Sequence, residues 1–367
     1  MTASFTRARW AALGFLMILG IAWPVEAATL SAWEPQSQIE AAAKKEGKLV
    51  IYVAPGHASP DAQRAMSKVF KEKFGVDIDW TSLAASDIAP RVMAEQRTQQ
   101  YASDIAMSGI EGNYVALKPR GYVTPILAPS TLEKGIWRLD PATAFPKERD
   151  WLFISMPLRP SFFINTNLVR AGEEPKNYRD LLNPKWKGKI VLQYPWSGGT
   201  GSGWFRATYK KLGLDYMRAL AKQVALTPTT GADILHDGVA RGQYAIGLAA
   251  STTRGRVLIQ EGAPVKFIQP EEGSHLAAQG LEFIANAPHA NAAKLFLHWF
   301  YTKEGQSVYA PPTMAISLRK DVSQDYLPPD ERYVEGRPIL IPDAEDFSAE
   351  KSKELSELAK QIFADGK

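Results

Sequence analysis

Residues 48–80 read KLVIYVAPGHASPDAQRAMSKVFKEKFGVDIDW. Residues 48–53 are a short apolar run with β-branched side chains, the pattern of a strand buried on both faces. Ala54-Pro55-Gly56-His57 breaks it. Ser59 then stands as a helix cap with Pro60 at the first helical position, and Ala62, Met66, Val69 and Phe70 share one helical face. Gly75 ends that helix, and residues 76–80 alternate as a second strand. Strand, helix, strand is the signature of an α/β fold with a mostly parallel sheet and helices on both faces.

Working outward, a polar helix over 37–46 is stopped by Gly47, and a helix over 87–100 leads to a strand over 104–107 ending at Ser108-Gly109. A second block opens near Trp151. Residues 151–156 and 161–165 read as strands separated by Pro157-Leu158-Arg159-Pro160. Strands follow over 189–193 and 243–249, with helices over 204–212, 215–223 and 231–241 among them. Residues 277–285 read as a strand leaving this block, residues 291–301 as a helix, and 348–364 as an amphipathic, charged helix packing back on the surface. No fixed-period repeat is present.

The chain has 367 residues, 45% of them hydrophobic and 22% charged, which is globular composition and long enough for two domains. A formal net charge of +4 over this length is no footprint for nucleic acid. Cysteine is absent, which excludes disulfides, thiolate metal sites and catalytic thiols. The N-terminus carries Arg7 and Arg9, then an apolar run from Trp10 to Trp23, then Pro24-Val25-Glu26-Ala27-Ala28. That order is a secretory signal peptide over 1–27, and the run falls short of the ~20 residues a membrane-crossing helix needs. The expected mature chain is exported.

Residues 194–203, YPWSGGTGSG, lie between a strand and a helix. Glycines at a helix start let an anion approach free backbone N–H groups, and Ser197, Thr200 and Ser202 add hydroxyl donors. The Lys of a P-loop is missing, and Trp204 stands where a dinucleotide fingerprint begun at Gly199 wants Gly. Composition alone leaves anion binding and a mobile surface loop both open. His57 sits just past the first strand, where α/β sheets place ligands, although a plain surface-loop histidine fits as well. Arg159 between its prolines, and Arg254 after Ser251-Thr252-Thr253, are candidate guanidinium clamps for an anion or else surface ion-pair partners. Trp196 reads as a pocket wall. His275, His289 and His298 are too scattered for metal-ligand spacing.

In order and spacing the chain resembles the periplasmic solute-binding proteins of ABC importers, in the branch that contains the ferric-ion-binding proteins. The resemblance rests on residues 49–57 (LVIYVAPGH), 70–76 (FKEKFGV), 183–190 (NPKWKGKI), Ser197-Gly198-Gly199, 242–247 and 300–306 (FYTKEGQ). It implies a two-lobe type II binding-protein fold whose lobes are joined by two β-strand crossovers and close by hinge motion on a ligand held between them. The implied division is lobe one at 28–156 plus 281–342, lobe two at 157–280, and a helical tail at 343–367. It also implies an ABC-importer permease as partner and no catalytic residues or cofactor, and a monomer is expected.

Iron-binding members carry an adjacent Tyr-Tyr pair where this sequence has Thr252 and Thr253, and no carboxylate stands at Ser108-Gly109. His57 and the loop Ser197-Gly198-Gly199-Thr200 remain. Removing the metal ligands while keeping the anion cradle leaves a pocket for a carboxylate, phosphonate, phosphate ester or sulfonate. The expected ligand-binding set is therefore His57, Ser108, Gly109, Arg159, Trp196, Ser197, Gly198, Gly199, Thr200, Ser251, Thr252, Thr253 and Arg254, with no metal. Two alternatives stand beside it: ferric ion with a synergistic anion, and an exported enzyme acting on phosphate esters or sugars.

Overall fold

The computed structural model describes residues 33–365 apart from 141–147, 157, 198, 229–232, 278, 344–345 and 347–348. For Arg159 and Thr253 it describes the backbone alone. The expected signal peptide, residues 1–27, lies outside the described residues. Among the described residues, no helix is long and apolar enough to cross a membrane.

The opening stretch folds as its pattern dictates. β1 (Lys48–Val53) pairs in parallel with β2 (Asp77–Ser82), Ile51 opposite Trp80, and with β3 (Ile105–Gly109), Ile51 opposite Ile105. Between β1 and β2 runs the helix Pro60–Phe74, whose Ser59 cap accepts from the Ala62 N–H at 3.1 Å and whose Gly75 closes it at φ +70°. Its buried face is Ala62, Met66, Phe70 and Phe74. The sheet order is β2-β1-β3-β13-β4, with β4 at Val123–Thr124 and β13 at Gln279–Ile284. β13 enters antiparallel to β3, and β5 (Leu152–Phe153) also pairs with it.

A second sheet has the order β11-β7-β10-β8-β9. It comprises β7 (Phe162–Asn165), β8 (Ile190–Gln193), β9 (Val224–Thr227), β10 (Ile246–Leu248) and β11 (Val265–Ile268). β10, β8 and β9 run parallel, and β7 lies antiparallel between β10 and β11. The strand expected over 151–156 is only Leu152–Phe153, because the following residues bridge to Ile316 and then turn toward the second sheet. β9 and β11 are four-residue strands with too few residues to show a period.

The chain passes between the sheets through β5, β6 (Leu158–Arg159) and β7, and returns through β12 (Ser274–Leu276) and β13. These passages lie side by side: Arg159 is opposite His275 on β6 and β12, and Phe153 opposite Gly280 on β5 and β13. After the helices Ala290–Phe300 and Lys303–Thr313 have packed on the first core, β14 (Ile339–Leu340) adds to β12. The chain then joins the second core. The expected amphipathic tail helix packs its apolar face into that core: Leu355, Ala359, Ile362 and Phe363 are buried with Trp204 and Phe205, while Lys353, Glu354, Glu357 and Lys360 are exposed. Their spacing of three to four residues makes one apolar stripe along the helix Ala349–Lys360 and the turn beyond it.

Candidate functional site

The helix expected to begin near Trp204 begins at Gly199 instead, so most of the glycine run is its first turn rather than a free loop. The reason lies at Gly201. A Cβ there would stand 2.3 Å from the Gln193 carbonyl oxygen, so only glycine lets the helix start back directly onto the end of β8. Thr200 Oγ1 donates to Gln193 Oε1 at 2.6 Å and ties the same two elements. No acidic side chain occupies the first turn of this helix. Its partial positive charge and unpaired N–H groups therefore face whatever lies in front of it.

In front of it is a cleft of about 680 Å³. His57 and Gly109 reach it from beyond β1 and from the end of β3, the carboxyl ends of two parallel strands. Trp196, Gly199, Thr200, Ser202, Phe205 and Arg206 line it from the second sheet's side. His275, Ala277 and Gln279 line it from the return passage, and Ser352, Lys353, Leu355 and Ser356 from the C-terminal helix. No Asp or Glu is among the described residues lining this cleft, whereas Arg206 and Lys353 are cations.

The walls are held rigidly. His57 is buried; its Nδ1 donates to the Pro55 carbonyl at 3.2 Å, and its own carbonyl accepts from Tyr309 Oη at 2.8 Å. Burial pushes the Tyr309 phenol above its ordinary value, which keeps that donor protonated. Trp196 stacks on Tyr194, centroids 4.8 Å apart and planes 11° apart, and its carbonyl accepts from Ser356 Oγ. Arg206 is 9% exposed and donates to the Asp346 carbonyl and to Ser352 Oγ at 3.1 Å. His275 is buried with Nδ1 3.2 Å from Ser161 Oγ.

A smaller space of about 80 Å³ adjoins the first, and Gln279 lines both. Gly56, Ser155, Ser251, Thr252 and Tyr309 line it, with Arg256 donating from Nε to Glu331 at 2.6 Å.

The structure thus brings His57, Gly109, Trp196, Gly199 and Thr200 together in one cleft, with Ser251 and Thr252 in the adjoining space. Other expected residues stand elsewhere. Ser108 is buried inside the sheet, 3% exposed, one residue short of the cleft. Ser197 is exposed and lines neither space. Arg254 is not a clamp at the cleft: its guanidinium pairs with Asp237 at 2.7 Å, on the helix Asp233–Ala240, and it lines neither space. Gly198 and the side chains of Arg159 and Thr253 lie outside the described residues.

Sequence reading missed Arg206, His275, Gln279, Arg256 and Lys353. Arg206 carried a usable signal, since it lies seven residues past Gly199 and so on the same face of a helix that begins there. The others come from segments far away in the chain, and nothing local marks them.

The family of bacterial extracellular solute-binding proteins matches residues 65–332. An uncharacterized protein of Haemophilus influenzae is 24% identical over 278 residues, covering 74% of this chain and 77% of that one. Among solved structures, the Trichodesmium protein (IdiA, FutA) in complex with iron and citrate superposes with a TM-score of 0.69 at 20% identity, over 86% of this chain and 99% of that one. The ferric iron-binding protein A of Mannheimia haemolytica, in an open conformation, also reaches 0.69, at 16% identity over 86% and 98%. The periplasmic binding protein AfuA of Actinobacillus pleuropneumoniae, with fructose-6-phosphate bound, reaches 0.65 at 20% identity over 87% and 99%. At these identities the likeness is one of fold, the two-lobe type II binding-protein fold.

Proposed function

The chain belongs to the bacterial extracellular solute-binding proteins, a family of binding proteins rather than enzymes, and on that premise we propose that it captures a small anionic solute in the cleft between its two sheets. The observation that carries the reading is electrostatic. The large cleft combines a helix start free of acidic residues with Arg206 and Lys353, and no carboxylate among its described lining residues opposes them. Positive potential in a cleft with low-dielectric walls concentrates anions. Carboxylates, phosphonates, phosphate esters and sulfonates all suit donors of this kind.

The solute passes to the membrane permease of an ABC importer, and the protein works in the periplasm as a monomer. The two lobes, one built on the first sheet and one on the second sheet with the C-terminal helix, close over the solute by bending at the passages β5–β7, β12–β13 and β14. His57, Gly109, Trp196, Gly199 and Thr200 meet the solute in the main cleft, and Ser251 and Thr252 meet it from the adjoining space.

Ferric ion suits the donor set less well. His57 shares the cleft with glycine, hydroxyl and amide groups; in the adjoining space Tyr309 Oη donates to the His57 carbonyl and Glu331 accepts from Arg256, while the hydroxyls of Ser251 and Thr252 lack the charge of phenolates. Thermal unfolding of the purified protein against a panel of anions tests the proposal. A bound anion at a hundred times its Kd adds about 2.7 kcal/mol of stability, and a panel without any shift would sink the reading.

A further inference from the structure

The family match ends at residue 332, yet four residues of the helix Ala349–Lys360 line the cleft. This helix is bound on its inner side by the second core through Leu355 and Ala359. It also touches the helix Ile110–Leu117, which follows Gly109 from the first sheet. It therefore spans elements on both sides of the cleft. Its register there is fixed by two hydrogen bonds one turn apart: Ser352 receives Arg206, and Ser356 donates to the Trp196 carbonyl. Lys353 lies within that turn and lines the cleft beside them. The ammonium is on an exposed residue and, among the described residues, no carboxylate is recorded against it.

Beside the polar side chains His57, Ser86, Thr200, Ser202, His275 and Gln279, the lining has an apolar share. Trp196, held flat on Tyr194, Phe205, Leu355, Pro195 and Ala277 face the same space. A volume of about 680 Å³ is in the range that encloses a whole organic molecule, far more than a lone inorganic anion fills. Resting on the anion reading above, we propose that the C-terminal helix is a wall of the solute site and that Lys353 contacts the cargo. The cargo class is an amphipathic organic anion. Its charged end lies among Lys353, Arg206 and the helix start at Gly199, and its ring or alkyl body lies against Trp196, Phe205 and Leu355.

The test is isothermal titration of the purified protein with three matched pairs: acetate and benzoate, inorganic phosphate and phenyl phosphate, methanesulfonate and benzenesulfonate. The expected result is that in at least one pair the ring-bearing member binds at least tenfold more tightly. Lys353→Ala should then weaken that binding about tenfold and Lys353→Arg should restore it. Lys360→Ala, a charge-matched change outside the cleft lining, should leave it unaltered. Ringless anions binding as tightly as their partners in every pair would overturn the amphipathic cargo while leaving the anion reading intact. Equal binding by Lys353→Ala and Lys360→Ala would remove the C-terminal helix from the site. Silence from all six anions, with each protein still folded by its thermal transition, would overturn the anion reading and this inference together.

Discussion

Gly201 shows how one missing side chain places the candidate site. Its hydrogen faces the Gln193 carbonyl where a methyl group would overlap it at 2.3 Å, and this approach aims the helix start into the cleft. Gly201→Ala should cost about 2–3 kcal/mol in denaturant unfolding, the scale of overpacking, and weaken solute binding along with it. Glu282 makes a different point. It is wholly buried in β13 on the face carrying Ile284, and desolvation pushes its carboxyl from 4.5 up to about 8. The unfolded chain loses this proton near 4.5 while the folded chain keeps it until about 8, so stability falls as pH rises between those values. Glu282→Gln should remove that slope: the variant's thermal midpoint should exceed wild type at pH 8, and the two should converge near pH 4.5. A wild-type midpoint rising over this interval, with no difference from the variant, would refute the assignment.

The elements were legible where local chemistry closes on itself. Ser59, Pro60 and Gly75 bound the helix Pro60–Phe74, and Gly47 at φ +67° ends the helix Gln36–Glu46. Ser59 does more than cap, since its hydroxyl donates to the Pro312 carbonyl at 2.8 Å and so joins two helices near His57. Ser59→Ala should cost about 1–2 kcal/mol by urea unfolding, more than an exposed surface serine would. Elements were misread where a distant partner sets their limits. The glycine run looked like a loop because glycine lowers helix propensity, but packing on β8 overrides that preference. The C-terminal helix was legible as amphipathic, but its sequence does not say which core takes its apolar stripe. Leu355→Ala should cost about 2–4 kcal/mol, as a core truncation does, whereas a cost below 0.5 kcal/mol would return that helix to the surface.

For the molecule as a whole, the two sheets are joined through β5–β7, β12–β13 and β14, which leaves few segments at which a hinge could bend. Addition of a saturating anion should lower the radius of gyration in small-angle scattering, and no change at saturation would argue against closure. The strand, helix, strand rhythm, the caps and the left-handed glycines were all readable, because each depends on neighbours within a few residues. So was the lack of a tyrosine pair at Thr252-Thr253, whereas the helix start at Gly199 was not, because its glycines fit a loop equally well. The gathering of Arg206, Gln279 and Lys353 around one cleft was not readable, nor was the capture of Arg254 by Asp237. Periodicity records which face of an element is apolar, but not which element from elsewhere in the chain will cover it. That choice depends on strand order and on the route of the chain between the sheets, and those are settled only when both cores pack.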